Sequence, residues 1–229
     1  MDPDLQRVFE LARERVDGCQ RVAISLIGRH GGLPTLGTDD PRIRLLDQVQ
    51  TELGVGPGQA VIDGPELVVV ADLARDRRWP AFADRAVALT DFRALISFRL
   101  AADGKPLGVL TLYSDAPHAF DPPAAAEWGR VLALYASLAI SKDRIEHNLR
   151  AALESREVIS VAMGILMARE NIARPAAFDV LRRASQRSNM KLVEVARRIA
   201  GPDDAVTSHD PAEFLAFLDT LMETGRGSR

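Results

Sequence analysis

Apolar residues recur at helical spacing near the start of the chain. Leu5, Val8, Phe9, Ala12 and Val16 are separated by arginine and glutamate, so Pro3 to Val16 is expected to form an amphipathic helix. "RVAISLI", Arg21 to Ile27, is short and β-branched and reads as a strand. "GRHGGLPTLGTDDP" reads as a loop, and "RIRLLDQVQTELG" as a helix stopped by Gly54. "GVGPGQAVIDGP" reads as a second loop, "ELVVVADL" as a strand, and "ARDRRWPAFADRAVAL" as a turn followed by a short helix. "RALISFRLAA" and "KPLGVLTLYS" flank Asp103-Gly104, a strong hairpin signal because both turn positions need positive φ. A long helix follows, with Asp121 as its expected N-cap and prolines in its first turn. Helices bracketing consecutive strands predict an α+β domain with a largely antiparallel sheet.

Beyond residue 123 the strand signals stop. Val131, Tyr135, Leu138, Ile145, Leu149, Ala152, Ile159, Met163 and Leu166 follow a three-four spacing, with Lys142 and Arg156 in the two polar gaps. Such a seam predicts a coiled coil, most simply a parallel homodimer. The same spacing also fits one long helix packed on its own domain. Pro175 opens a second helix that Asn189 breaks, and "KLVEVARRIA" is a third, closed by Gly201 and Pro202. In the tail, Asp210, Pro211 and Glu213 form a helix-start pattern, and Phe214, Phe217, Leu218 and Leu221 an apolar face. Gly164 interrupts the long helix, at a cost of about 1 kcal/mol relative to alanine.

Composition narrows the class. At 229 residues, 47% hydrophobic and 27% charged, the chain is long enough for two domains with real cores. No apolar run approaches a membrane span, and the N-terminus has neither a basic nor an apolar leader region. A single cysteine, Cys19, excludes an internal disulfide framework and suits the cytoplasm. Net charge is −3, yet residues 145–200 hold ten Lys and Arg against six Asp and Glu. A weakly acidic body with a basic segment is compatible with a nucleic-acid module, but on charge alone a solvated helical surface is the plainer reading.

Little in the sequence points to reaction chemistry. The four histidines form no metal-binding pair, so no metal site is expected. Phosphate-loop and nucleophile-elbow motifs are absent. "GVGPGQ" lacks the flanking strand and helix of a dinucleotide site. Cys19 reads as a small buried hydrophobe, and Trp79 and Trp128 as packing residues. No catalytic constellation emerges, so no enzyme is expected.

The C-terminal half carries "SR..I..A.GILMA", then "AF..LR..S", then "N.KL.EVA", in order over about 50 residues. This segment resembles an ANTAR domain, the RNA-binding module of bacterial transcription antitermination regulators. The resemblance implies three helices, the first continuing from a coiled coil. It implies a close helix crossing at Ala162 and Gly164 and a core of Ile165, Leu166, Phe178, Leu181, Leu192 and Val195. It also implies RNA contacts from Arg156 on the first helix, Arg182, Ser185 and Gln186 on the second, and Asn189 and Lys191 at the following turn. Met163 stands where many relatives have lysine, so one RNA contact is missing here. The family's mode is a dimer that binds two adjacent stem-loops in a nascent transcript and so blocks a terminator.

The N-terminal half carries "RVAISLI", "ELGVGPGQ", "VVVADLARDRRWPAF" and "PLGVLTLYSDAPHAFD". It resembles a GAF domain, a six-stranded α+β sensor fold, and GAF followed by ANTAR is a bacterial layout met most often in actinobacteria. GAF domains bind varied small molecules, or none. The asparagine-lysine signature of the cyclic-nucleotide type is absent, since the first asparagine is Asn148. Gly58 replaces a cysteine found in many relatives, and no cysteine or histidine matches a bilin or haem ligand. No cofactor is therefore expected, and an unidentified small-molecule effector is left open.

The expected division is a GAF domain over 1–141, a coiled-coil linker helix over 142–156, an ANTAR domain over 150–201 and a tail over 202–229. The expected function is a cytoplasmic, homodimeric, RNA-binding antitermination regulator with no membrane partner. The alternative is a non-catalytic adaptor in which the GAF domain dimerises and the basic helices bind a protein.

Overall fold

A computed structural model describes residues 2–28 and 32–201. The chain divides into two compact units, Met1–Arg144 and Ile145–Arg229. The helix expected from Asp210 onward lies outside the described residues.

In the first unit, α1 (Pro3–Arg15) leads into β1 (Arg21–Leu26) and β2 (Thr35–Thr38). Then come α2 (Arg42–Leu53), α3 (Pro57–Asp63), β3 (Leu67–Val70) and α4 (Pro80–Leu89). The hairpin β4 (Ala94–Ala102) and β5 (Lys105–Ser114) completes a five-stranded sheet of order β2-β1-β5-β4-β3, antiparallel at every pairing. Asp103 (φ 50°) and Gly104 (φ 72°) make the tight turn that Asp-Gly signals.

Alternation along the strands builds two cores. Val22, Ile24, Ile96, Phe98, Leu110 and Leu112 point to the face covered by α1 and the start of α5 (Pro123–Glu170). Ala23, Leu95, Val109 and Tyr113 point to the opposite face, under α2, α3 and α4. With both faces covered, β4 and β5 have few polar positions, which is why they read as near-continuous apolar runs.

Helix α5 approaches the sheet closely at Gly129. A Cβ there would stand 1.9 Å from Cζ of Phe98, a ring that is itself fully buried. One turn or two later, Ser137 Oγ donates to Ala133 O (2.7 Å) and accepts from the Ala101 amide (3.1 Å), satisfying an amide near the end of β4. Tyr135 Oη donates to Asp4 (3.2 Å), and Lys142 Nζ lies 3.6 Å from the same carboxylate.

In the second unit, the last part of α5 packs with α6 (Arg174–Ser188) and α7 (Leu192–Ala200). Ala162, Met163, Leu166, Ala177, Val180, Leu181, Ala184, Val195, Ala196 and Ile199 form its core. Asn189 caps α6 in the left-handed region (φ 52°), and its amide donates to Ser185 O.

Several expectations are corrected. The loop expected over residues 28–41 contains β2, whose pairing comes from β1 rather than from its own composition. "GVGPGQAVIDGP" contains α3, started by Pro57 and anchored by buried Val61. Five strands, not six, are present among the described residues. Helix α5 begins at Pro123, and Asp121 is not its cap; that carboxylate bonds His118 Nδ1 at 2.8 Å. The single three-four seam also divides: Tyr135 faces α1, while Met163 and Leu166 are spent in the second unit's core.

Gly164 is the sharpest correction. A Cβ on it would meet nothing within 4 Å, so among the described residues no helix crosses there; Ala162, fully buried, is the small residue at the packing face. Ile165 (39% exposed) and Phe178 (42% exposed) are likewise outside the core that Leu166, Leu181 and Val195 do form, with Leu192 half-buried against it.

The two glycines of α5 are thus predicted to respond oppositely. Gly129→Ala should destabilise the first unit by about 3 kcal/mol, because backbone or ring must move. Gly164→Ala should stabilise the second by up to about 1 kcal/mol through helix propensity. Urea unfolding followed by circular dichroism measures both.

Candidate functional site

The second unit presents the sequence-expected polar residues as follows. Arg156 is exposed on α5. Arg182 and Gln186 are exposed on α6, and Asn189 and Lys191 at the turn into α7. Asn189 needs positive φ to end α6, and Lys191 occupies the N-cap position of α7. These two are brought together by the turn itself. Ser185 differs from the others. It is half-buried, and its hydroxyl donates to Met190 O at 2.6 Å, tying the end of α6 to that turn. That bond joins the end of α6 to the turn that carries Asn189 and Lys191.

Arg182 Nη2 pairs with Asp179 at 3.0 Å, both about half exposed. An exposed pair of this kind is worth about 0–1 kcal/mol and exchanges readily for another anion. Arg156 and Arg174 have no ion-pair partner among the described residues. Both line an open groove of about 740 Å3 between α5 and the start of α6, together with Ile159, Met163 and Phe178. Arg174, Phe178, Arg182 and Ser185 follow one another at steps of four, four and three, so they share one side of α6. Neither Arg174 nor the outward turn of Phe178 is among the sequence expectations. The signal was present in that spacing, but an aromatic in a helical pattern reads first as core.

In the first unit, the face of the sheet under α2, α3 and α4 is closely packed. The space between the sheet and α2, α3 and α4 is filled by Leu33, Ile43, Leu46, Phe82 and Phe92. One carboxylate lies within it. Asp47, on α2, accepts hydrogen bonds from the Ser25 hydroxyl and from Thr35 Oγ1 (2.7 Å). Burial pushes its pKa up, while the Ser25 and Thr35 hydroxyls and Arg44 pull it down. Next to it, Gln50 Oε1 accepts from the Gly58 amide at 2.7 Å, pinning the start of α3. Gly58 itself is crowded: a Cβ would stand 3.1 Å from that Oε1 and 3.2 Å from Leu33 Cδ1. Cys19 is buried elsewhere, under α1, and burial pushes its thiol up to about 12. It is a packing residue rather than a thiolate at neutral pH. Trp79 packs against the second core with Arg78 over its ring (4.7 Å), and Trp128, 41% exposed, lies under Arg15 (5.7 Å). Among the described residues no group of His, Cys, Asp and Glu has metal-binding geometry, and no helix is long and apolar enough to cross a membrane.

A two-faced antiparallel sheet wrapped by helices, followed by a small basic three-helix unit, defines a sensor-type domain joined to a helical output domain. The chain belongs to the GAF domain family, whose model matches residues 5–141, and it carries an ANTAR domain over residues 147–199. It is therefore a regulator of the GAF plus ANTAR kind, two regulatory rather than catalytic domains. Among solved structures it is similar to a domain of a two-component sensor histidine kinase protein from Sinorhizobium meliloti. The TM-score is 0.54 at 19% identity, over 63% of this chain and 94% of that one. It is also similar to the GAF domain of a two-component sensor histidine kinase from Bacillus halodurans. There the TM-score is 0.50 at 11% identity, over 64% and 97% of the two chains. These likenesses concern the fold of the first unit. No curated relative matches the sequence.

The buried carboxyl generates a pH prediction. Because its folded-state pKa is raised, Asp47 binds its proton more tightly in the folded chain than in the unfolded one. The resulting stabilisation is complete below the unfolded value, about 3.9, and is lost as pH rises through the raised value. Relative to Asp47→Asn, the wild type should therefore lose unfolding free energy as pH climbs from about 4 toward neutral. Urea titrations of both proteins across that range measure it.

Proposed function

We propose that this regulator binds RNA through its ANTAR domain and acts as a transcription antiterminator, as a homodimer governed by the GAF domain. The observation that carries the reading is a division of labour within one matched motif. Its apolar residues Leu166, Leu181 and Val195 are buried, while Arg156, Arg182, Gln186, Asn189 and Lys191 all lie exposed on the same small domain. Arginines of this kind bind phosphate or a guanine edge, and exposed amides read bases held open in a hairpin loop. Pairing two such domains in a dimer raises avidity for two adjacent stem-loops, provided their spacing matches.

Support for the dimer comes from α5. Within the first unit Val131, Leu134 and Leu138 are 57–63% exposed, at steps of three and four along the helix. Within the second, Ile145, Leu149 and Leu153 are 57–66% exposed. Large apolar side chains repeating on a helix surface favour a partner helix over water. Dimerisation would run along this stripe, from which Tyr135 is excluded. A small molecule or protein bound by the GAF domain would act by favouring one arrangement of the dimer over another.

Two measurements test the reading. A gel-shift titration compares an RNA with two adjacent small-loop hairpins, a single hairpin and a duplex control at two salt concentrations. The paired hairpins should bind tightest. Arg156→Ala with Arg182→Ala should weaken that binding at least tenfold and flatten its salt dependence. Equal binding to every probe, or none at low salt, would favour the protein-interaction adaptor instead. Separately, Leu134→Glu with Leu138→Glu should convert a dimer to a monomer in analytical ultracentrifugation.

A further inference from the structure

We propose that the open groove between α5 and the start of α6 is a stacking slot for one unpaired base of an RNA loop, with Phe178 as the platform and Arg156 and Arg174 flanking it on phosphate. This rests on the RNA-binding reading and adds a residue and a mode of recognition to it.

Phe178 is 42% exposed although it lies beside the core residues Ala177 and Leu181. Burying a phenylalanine ring is favourable, so leaving it at the surface is a cost unless a partner covers it. The ring does not stand in open water alone. Ile159, Met163 and Pro175 line the groove with it, giving an apolar floor and walls, and the space of about 740 Å3 is ample for a nucleobase. A base has two flat apolar faces, and stacking on an aromatic ring tolerates any of the four.

The rim supplies the complementary charge. Arg156 comes from α5 and Arg174 from α6, so the two guanidinium groups reach the groove from different helices. Neither has an ion-pair partner among the described residues, and none of the residues lining the groove is acidic. A nucleotide seated base-down on Phe178 brings its phosphates to this rim. The slot also continues the expected RNA surface rather than opening a new one. Arg182 follows Phe178 by one turn on the same side of α6, with Ser185 and the Asn189 turn beyond it. Met163, itself buried, adds its thioether to the apolar lining of the groove.

The test uses the full chain and the paired-hairpin RNA, with 2-aminopurine or an abasic residue placed at each loop position in turn. Phe178→Leu keeps an apolar side chain but removes the ring, and Phe178→Tyr keeps the ring. The leucine variant should bind about tenfold more weakly, and the tyrosine variant should stay within about twofold of wild type. One loop position should show 2-aminopurine quenching with wild type and none with Phe178→Leu. An abasic residue at that position should cost the wild type about tenfold and the leucine variant nothing further. The abasic scan on wild type alone decides the matter if the leucine variant does not fold. Wild type that binds the hairpins while Phe178→Leu binds equally well, with the same quenching, overturns the slot and leaves the proposed function standing. A leucine variant that changes the association state and not RNA affinity also overturns it, and identifies a protein-facing groove. Wild type that binds no probe overturns the RNA reading itself.

Discussion

Everything in this chain depends on α5 being one unbroken helix that belongs to two cores. Its first part buries Leu132, Ala133, Ala136 and Ala139 against the sheet, and its last part buries Ala162, Met163 and Leu166 against α6 and α7. Such a helix has no proline after its first residue and no cap within it. The demands at its two ends differ. Against a sheet covered on both faces, the backbone must come near enough for Gly129 to rest on the Phe98 ring. Against two short helices, alanine at 162, 177, 184 and 196 is small enough, and a small core closes around them.

The sheet unit adds a second constraint, a carboxylate inside an apolar layer. A buried polar group is tolerated when its lone pairs are used, and the Ser25 and Thr35 hydroxyls use those of Asp47. Ser25 lies on β1 and Thr35 at the start of β2, so the same carboxylate ties α2 to the edge of the sheet. Outside, Asp40 and Arg42 (2.7 Å) and Asp72 and Arg93 (3.0 Å) brace chain segments near strand ends in partly buried pairs. A face built this way ties the sheet edge to the helix above it.

Much of this was legible from residue order alone, and the misses share a physical cause. The Asp-Gly turn, the amphipathic first helix and the Asn189 break are local, and local backbone chemistry settles them. The strand β2 and the helix α3 were missed because neither is stable by itself. A four-residue strand needs β1 to pair with, and a seven-residue helix needs the core under Val61. The polar positions Arg156, Arg182, Gln186, Asn189 and Lys191 were legible through a motif and prove to be exposed. Ser185 was legible as a polar residue, but not as a hydroxyl committed to the Met190 carbonyl, since that bond exists only once the turn has formed.

The seam along α5 shows where periodicity stops being informative. Residues at steps of three and four must share a face, and that much follows from 3.6 residues per turn. Which neighbour covers the face does not follow: Tyr135 meets Asp4, Met163 meets the three-helix core, and Leu138 meets neither. The glycines make the same point. Sequence determined that Gly164 weakens a helix and that Phe178 belongs to an apolar pattern. Tertiary structure decided that the glycine needing its small size is Gly129, and that Phe178 opens onto a groove between two arginines. Propensity is carried by single residues and their near neighbours, whereas proximity and exposure arise when distant segments compete for the same space.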